Sequence, residues 1–506
     1  MSPSPTQDLL HPETVRRGRN FPGDRTDIPA RGATTMDADL TFTSAIEMRR
    51  LIESKEVAIP ELVEFFYQRI QTLNSRLNSY LALCPDQAMD QARSAQEAVQ
   101  RGDYLGPLHG IPVSIKDLEM TKGIPTTSGS AVFKDRTPEV DSVVVERIRQ
   151  AGAIILGKTN TPEFGLSGTT ETKVGGPGRN PWNPERTSGG SSGGAASALA
   201  SGLCTLSSGS DGGGSIRIPA SFCGVFGIKP SQGRVPRYGG YGRPAANQFS
   251  QSGPMSRTVA DTAMFLQVLA GNDLRDPTSL RQEPPDFSAG LKQGVKGLRI
   301  AWSSDLGYAG VDPEVARIAG EAAKVFQELG AVVEEPALVI EDPFQSFWDA
   351  FATAAYTSYG HLLPEHQSDF TDYGLRSLEH GASISGADLS RALLRVDVLR
   401  RQMELFFDNY DLLMTPTMAV TAFPIDDRPS VIGGKEVDPF WGFLPFTFPI
   451  NMTGQTASSV PCGFSSDGMP IGLHIIGPHG AEARVLQASA AFEEARPWSD
   501  KRPQVS

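Results

Sequence analysis

Cysteine is scarce in this chain. Its 506 residues include only four, Cys84, Cys204, Cys223 and Cys462, and they lie far apart. No Cys-x-x-Cys pair and no cysteine–histidine ligand spacing occurs. Neither a disulfide framework nor a metal site is therefore expected, and a reduced, cytoplasmic setting fits best. Long apolar runs are missing too: no stretch reaches the roughly 18 residues that a membrane-crossing helix needs. Basic residues are outnumbered, 46 against 58, and the net charge of −12 argues against nucleic acid or an anionic membrane as partner. Histidine is sparse, seven in all. Only His474 lies in an apolar, strand-like run downstream, where a core or edge position accounts for it. No internal repeat and no clear linker follows residue 40. Length alone suggests about three domains, but the unbroken patterning favours one.

The first 36 residues are polar and rich in proline and arginine. They contain no apolar core of a signal peptide, so Arg16-Arg17 does not read as an export signal. Residues 1–37 are expected to form a disordered tail. Patterned structure then begins. Ser44 and Glu47 have capping-box spacing, which opens a helix through Ile46, Arg50 and Glu53. Pro60 starts another, with Leu62, Phe66, Ile70 and Leu73 at helical spacing. The pattern predicts a strand at 111–115, a helix at 141–150, a buried strand at 153–156 and a small-residue helix after Gly194. Further on it predicts a strand at 297–302, a helix at 313–330 and a strand at 331–335. Strands alternating with helices indicate an α/β fold with a partly parallel sheet.

Glycine and serine are concentrated at two places, TSGGSSGG at 187–194 and SDGGGSIRIP at 210–219. Glycines this dense let backbone approach a ligand and take positive φ. The serines offer hydroxyls. Upstream, Lys116 ends the apolar run GIPVSIKD, and a lysine serves as a base once its pKa is pushed down. Two other motifs mislead. GAIILGKT at 152–159 matches the phosphate-loop pattern, but its middle is an apolar strand and Pro162 blocks the helix that should follow. G-x-S-x-G occurs around both Ser191 and Ser192, yet a polar, proline-rich loop precedes it where a nucleophile elbow needs a buried strand. Cys223, in the apolar segment SFCGVFG, reads as a small packed thiol.

These clusters, taken with GKTNTPEFG at 157–165, RNPWNP at 179–184, GIKPSQGRV at 227–235, SGPMSRTVAD at 252–261 and PIGLHIIG at 470–477, closely resemble the amidase signature family. The resemblance runs from about residue 40 to 480. It implies a single domain, 38–500, with a mixed, mostly parallel twisted sheet flanked by helices on both faces, and a variable, substrate-shaping region at 300–450. It also implies a Ser–cis-Ser–Lys triad that cleaves carbon–nitrogen amide bonds without a cofactor. The nucleophile is then Ser215, the bridging serine Ser191 after a cis peptide, and the base Lys116. Gly212, Gly213 and Gly214 would turn amides toward the oxyanion. Gly212 is the one departure, since relatives often carry a larger residue there. Ser192 is expected to support the loop, and Asp211 and Arg217 to hold it as an ion pair.

A serine hydroxyl is a weak nucleophile and needs a base. Lysine can be that base only when neutral, and burial lowers its pKa from about 10.4. Lys116 would draw a proton through Ser191 from Ser215, and the return path would protonate the departing amine. Phe344, Phe347, Trp348 and Phe351 fall on one helix face. A second cluster holds Phe440, Trp441, Phe443, Phe446 and Phe448. Such stripes are usually core, but in this family the region shapes the acyl and amine pockets. A bulky, apolar or aryl amide is expected as substrate, with carbamates or esters in reach. The alternative is the glutamine-hydrolysing subunit of a transfer-RNA-dependent amidotransferase. A homodimer is left open.

Overall fold

The apolar runs assemble into one eleven-stranded sheet. The computed structural model describes residues 40–103, 106–239 and 248–505, so the tail expected at 1–37 lies outside the described residues. In chain order the sheet strands are β1 (Tyr80–Leu83), β2 (Pro112–Lys116), β3 (Ile154–Thr159), β4 (Leu206–Asp211), β5 (Phe226–Lys229), β6 (Gln251–Ser256), β7 (Arg299–Trp302), β8 (Val332–Glu334), β9 (Leu412–Pro416), β10 (Thr456–Phe464) and β11 (Pro470–Gly477). Their order across the sheet is β1-β3-β2-β4-β6-β5-β10-β11-β9-β7-β8.

The sheet is mixed, as expected. Parallel pairing is confined to two blocks, β3-β2-β4 and β9-β7-β8. The remaining neighbours are antiparallel, so parallel order is less extensive than the alternation of elements suggests. A short turn joins β10 to β11, and a connection that short permits only an antiparallel pair.

Helices form where the periodicity places them. The first spans Ala45–Glu53, and the Ser44 hydroxyl accepts from the Glu47 amide at 3.1 Å. Only half of the capping box forms, because the Glu47 carboxylate turns to Arg50. The second spans Ile59–Leu77 and buries Leu62, Phe66, Ile70 and Leu73. Successive strand residues point to opposite faces, and the two faces seat separate cores. Leu412 and Met414 enter one core with Phe66, Phe326 and Phe492. Leu413 enters the other with Phe347, Phe351, Trp441 and Phe448. The aromatic stripe is therefore packed helix, Phe344–Tyr359, and it lies on the sheet face that also holds Phe222 and Ile218.

Candidate active site

Strands β2 and β4 are parallel neighbours, with Val113 opposite Leu206 and Ser114 opposite Ser207. Both end at the same edge, the place where sheets of this kind collect ligand-binding groups. Lys116 is the last residue of β2, and Asp211 the last of β4. The Lys116 amide is held to the Ser208 hydroxyl at 3.1 Å.

The Lys116 side chain is wholly buried. Its Nζ lies 2.7 Å from Ser191 Oγ, 2.8 Å from Ser192 Oγ, 3.0 Å from Ser210 Oγ and 3.3 Å from the Ser210 carbonyl. No carboxylate is among these contacts. Burial pulls the amine down to about 7, against the opposing pull of Asp211 and Glu119. A neutral amine has two N–H donors and one lone pair. Four surrounding oxygens, three of them hydroxyls able to donate, suit that inventory.

Ser191 and Ser192 sit where the first glycine–serine cluster enters the helix Gly193–Ala200. The Gly190–Ser191 peptide is cis, as the resemblance implied. A Cβ on Gly190 would lie 2.6 Å from the Thr169 backbone, so only glycine lets the turn close against its neighbour. Ser192 does more than support the loop. Its hydroxyl contacts Lys116 directly and also accepts from the Ser210 amide at 3.3 Å.

Ser215 belongs to the second cluster, just before the helix Arg217–Cys223. Its carbonyl accepts from the Ser192 amide at 3.1 Å, and this bond draws the two clusters together. Ser215 is 7% exposed against 2% for Ser191, so it is the outermost of the three. Among the described residues, no hydrogen bond joins the Ser215 hydroxyl to Ser191. The expected chain of hydroxyls is therefore closed only on its lysine side.

Asp211 and Arg217 form a fully buried ion pair with Oδ1–Nη2 at 2.9 Å. Burial alone would raise the Asp211 pKa, but the Arg217 guanidinium outweighs it and holds the carboxyl well below the usual range. The carboxylate also accepts from the Gly214 amide at 2.8 Å and the Ile216 amide at 3.1 Å. One expected oxyanion donor is thereby removed, because the Gly214 N–H is already committed to a stronger acceptor inside the loop. The Gly212 and Gly213 amides donate to no group among the described residues. Gly214 itself has φ +132°, and a Cβ there would lie 2.4 Å from Thr447 Oγ1.

Three further residues complete this clamp. Asn451 donates to the Asp211 carbonyl and carboxylate, each at 2.9 Å, and accepts from Arg217 at 2.7 Å. Thr447 donates to the Gly213 carbonyl at 2.7 Å. His474 Nε2 accepts from Arg217 at 3.0 Å. Its pKa is pushed well down by burial and by the guanidinium, so it stays neutral and structural. Asn451 and Thr447 lie far from both clusters in the chain and carry no motif of their own. Ser210 was visible inside the second cluster but not distinguishable from its neighbours.

The aromatic residues reach the same loop. A Cβ on Gly213 would lie 3.0 Å from Phe347 and 3.5 Å from Trp441; one on Gly212 would lie 2.5 Å from Ser250 Oγ and 3.5 Å from Phe351. A larger residue at 212 would thus collide with Ser250, which accounts for glycine here. Beside this wall is a small cavity lined by Ser167, Trp348, Tyr373, Arg376, Phe440 and Trp441, among others. The Arg376 and Arg428 guanidiniums lie 4.9 and 4.5 Å from the Phe440 ring centre.

The surroundings of the misleading motifs explain them. GAIILGKT contains β3, buried throughout, and Lys158 Nζ donates to Thr121 and Thr126 hydroxyls at 2.7 and 3.1 Å. The segment before Ser191 is not a plain loop. It forms a small hairpin, Arg179–Asn180 with Asn183–Thr187, outside the main sheet. Cys223 is buried and its thiol is pushed up by burial. Among the described residues, no group of His, Cys, Asp or Glu could hold a metal ion, and no helix is long and apolar enough to cross a membrane.

Comparison with known proteins matches this arrangement. The Amidase family pattern covers residues 61–486. The chain is 38% identical to an acylamidase of Rhodococcus erythropolis, over 92% of this chain and 98% of that one. It is 39% identical to a glutamyl-tRNA(Gln) amidotransferase subunit of Moorella thermoacetica, over 92% and 99%. Among solved structures, a bacterial aryl acylamidase of the amidase signature family superposes with a TM-score of 0.86 at 35% identity, over 91% of this chain and 98% of that one. A 6-aminohexanoate cyclic dimer hydrolase gives 0.83 at 29%, over 92% and 99%. The chain therefore belongs to the Amidase family, that of the amidase signature enzymes, and is an amide hydrolase.

Proposed function

We propose that the enzyme hydrolyses bulky apolar or aryl acylamides through a Ser215 acyl-enzyme, with Lys116 as base and Ser191 as proton carrier. The observation that carries this reading is the Lys116 amine, out of water and 2.7 Å from Ser191. Burial lowers its pKa to about 7, which makes the neutral amine accessible as a base near neutral pH. Ser215 turns its hydroxyl onto Ser191 when substrate binds; catalytic hydrogen bonds in unliganded sites are often long and tighten in the complex.

Ser215 Oγ then attacks the carbonyl carbon while its proton passes to Ser191, and the Ser191 proton passes to Lys116. The tetrahedral oxyanion is met by the Gly212 and Gly213 amides. The protons return along the same path to the amine nitrogen as the carbon–nitrogen bond breaks. Water, deprotonated by the same relay, cleaves the ester to carboxylate and frees Ser215. A carbamate would follow the same steps and release CO2 after deacylation.

The substrate class rests on the wall around the loop. Phe347, Phe351 and Trp441 crowd the Gly212–Gly213 backbone, so the acyl or amine part that lies there meets aromatic faces. Residues 300–450 supply that wall and act as the substrate-shaping region of the domain. The amidotransferase reading is supported by the 39% identity to the Moorella thermoacetica protein. The aromatic surface of Phe347, Phe351 and Trp441 at the loop, however, favours an apolar substrate part over the small, polar glutamine.

The test is a turnover panel with the purified chain alone: an acetanilide, an aliphatic amide, an aryl carbamate and glutamine. The anilide should lead, with a mass increase equal to the acyl group trapped on Ser215. Glutaminase activity that depends on adding a second protein would overturn the acylamidase reading.

A further inference from the structure

Glu119 is buried, and among the described residues its carboxylate has no ion-pair partner. Burying such a group is costly unless other charge interacts with it. A tight turn fixes its place. The Glu119 amide donates to the Lys116 carbonyl at 3.0 Å, and the ends of a four-residue turn lie within about 7 Å of one another. Lys116 and Glu119 are thus neighbours through the backbone.

Their side chains reach the same sheet. Lys116 Nζ contacts Ser210 Oγ on β4 at 3.0 Å. The Glu119 carboxylate accepts from Ser252 Oγ on β6 at 2.7 Å. Ser210 and Ser252 are direct cross-strand partners, and such partners carry Cβ atoms about 4.5–5.5 Å apart. Amine and carboxylate are therefore tied twice, by the turn and by two opposed serines, and both are buried. They form no ion pair, so the carboxylate acts through its field, which is strong where water is excluded.

The other charged groups nearby are engaged. Asp211 is paired with Arg217. Asp117 accepts from the Thr127 hydroxyl and the Gly129 amide. Lys158 donates to the Glu119 carbonyl and to the Thr121 and Thr126 hydroxyls, and Lys229 to the Pro230 carbonyl. Glu119 is thus a negative charge near Lys116 that no cation in contact offsets.

We propose that Glu119 is a positioning residue for the base: its unpaired carboxylate, held by the turn and by Ser252, sets the pH range in which Lys116 exchanges protons with Ser191. This rests on Lys116 acting as the base. Burial alone drives a lysine toward neutrality at every working pH, and an amine made too weakly basic takes a proton poorly. A nearby carboxylate favours the cation and moves the amine back toward the pH at which it can both accept and return a proton. Both influences act on Lys116, burial downward and Asp211 and Glu119 upward.

The experiment is the pH dependence of Ser215 labelling by a fluorophosphonate, read by mass on the full chain from about pH 5 to 9. Wild type should show an acid limb at about 7. Glu119→Gln keeps an acceptor for Ser252 and removes the charge. Its limb should move down by at least about 0.5 pH unit, and its plateau rate should fall roughly two- to tenfold. Glu119→Asp keeps the charge and should hold the limb within about 0.3 unit of wild type. Glu119→Met with Ser252→Ala removes both partners of the hydrogen bond and leaves no orphaned group. It should move the limb as Glu119→Gln does, so the prediction stands where one variant folds poorly; melting temperature identifies the folded protein. A limb that stays at the wild-type pH, or rises, in a folded variant without the charge would overturn the proposal and leave Lys116 as the base. So would a Glu119→Asp limb displaced as far as that of Glu119→Gln. A wild-type profile with no limb would remove the base itself, and this role of Glu119 with it.

Discussion

The two glycine–serine loops and the aromatic wall pack against one another, yet they are held by opposite means. In the loops almost every side chain is small, and shape comes from polar contacts: Lys116 to three hydroxyls, Asp211 to two amides and a guanidinium, Asn451 across both. In the wall, shape comes from bulk. Phe347 packs on Phe351, Trp441 and Phe448 with ring centres 5.0 to 5.3 Å apart. Polar contacts are directional, so the loops fix the positions of the Lys116, Ser191 and Ser192 side chains. Apolar contacts are not, so the wall can be reshaped without moving them. On the proposed mechanism, chemistry and selectivity reside in adjoining but separable parts, and variants can test that division.

The largest effect is expected from Ser215→Ala. It should lower kcat by on the order of 10⁴ to 10⁶ while leaving the melting temperature nearly unchanged. Turnover near the wild-type rate would remove Ser215 from the mechanism. Lys116→Met comes next, with a loss of roughly 10² to 10⁴ in kcat. In wild type, kcat/KM should rise with pH through about 7 and then level, as the amine loses its proton. A flat profile from about pH 6 to 9 in wild type would exclude a titrating base. Stability should carry the same signature. The folded pKa of Lys116 lies below its unfolded value, so the unfolded chain binds more protons between about 7 and 10.5. Unfolding free energy should therefore increase with pH across that window, and less steeply in Lys116→Met. Lys229, also pulled down to about 7 by burial, contributes equally to stability. Only the Lys116 change should move the activity profile.

Arg217→Met tests the clamp. It leaves Asp211 buried and unpaired, and loss of one partner of such a pair costs about 3–5 kcal/mol. Chemical denaturation measures that cost directly. Activity should fall as well, because Asp211 then loosens its hold on Gly214. The smallest effect belongs to the wall. Trp441→Ala should lower kcat/KM for an anilide by roughly 10- to 200-fold and leave acetamide hydrolysis within about threefold. Equal losses on both substrates would mean that Trp441 supports the loop, and the separation of chemistry from selectivity would fail.

Much of the site was legible because each of its parts is local. The cis-serine turn, the glycine loop after Asp211 and the lysine at a strand end are short continuous segments, and their residue types report their backbone needs. The contact between Lys116 and Ser191 was foreseeable for that reason. The Gly214 amide was misjudged for a corresponding reason: its direction is set by a carboxylate three residues back, a three-dimensional choice. Asn451, Thr447 and the Arg217–His474 contact were invisible because they join segments more than 200 residues apart.

By itself, the sequence determined which strands and helices form, since apolar periodicity and capping act over a few residues. It also determined which side chains carry reactive groups. The tertiary structure decided the rest: the pKa of Lys116, which depends on burial that no local segment supplies, and the donors left free for an oxyanion. It also decided the seating of the aromatic helix against the glycine loop. Each of these is a property of groups distant in the chain that share a volume without water, and that volume exists only once the sheet has closed over it.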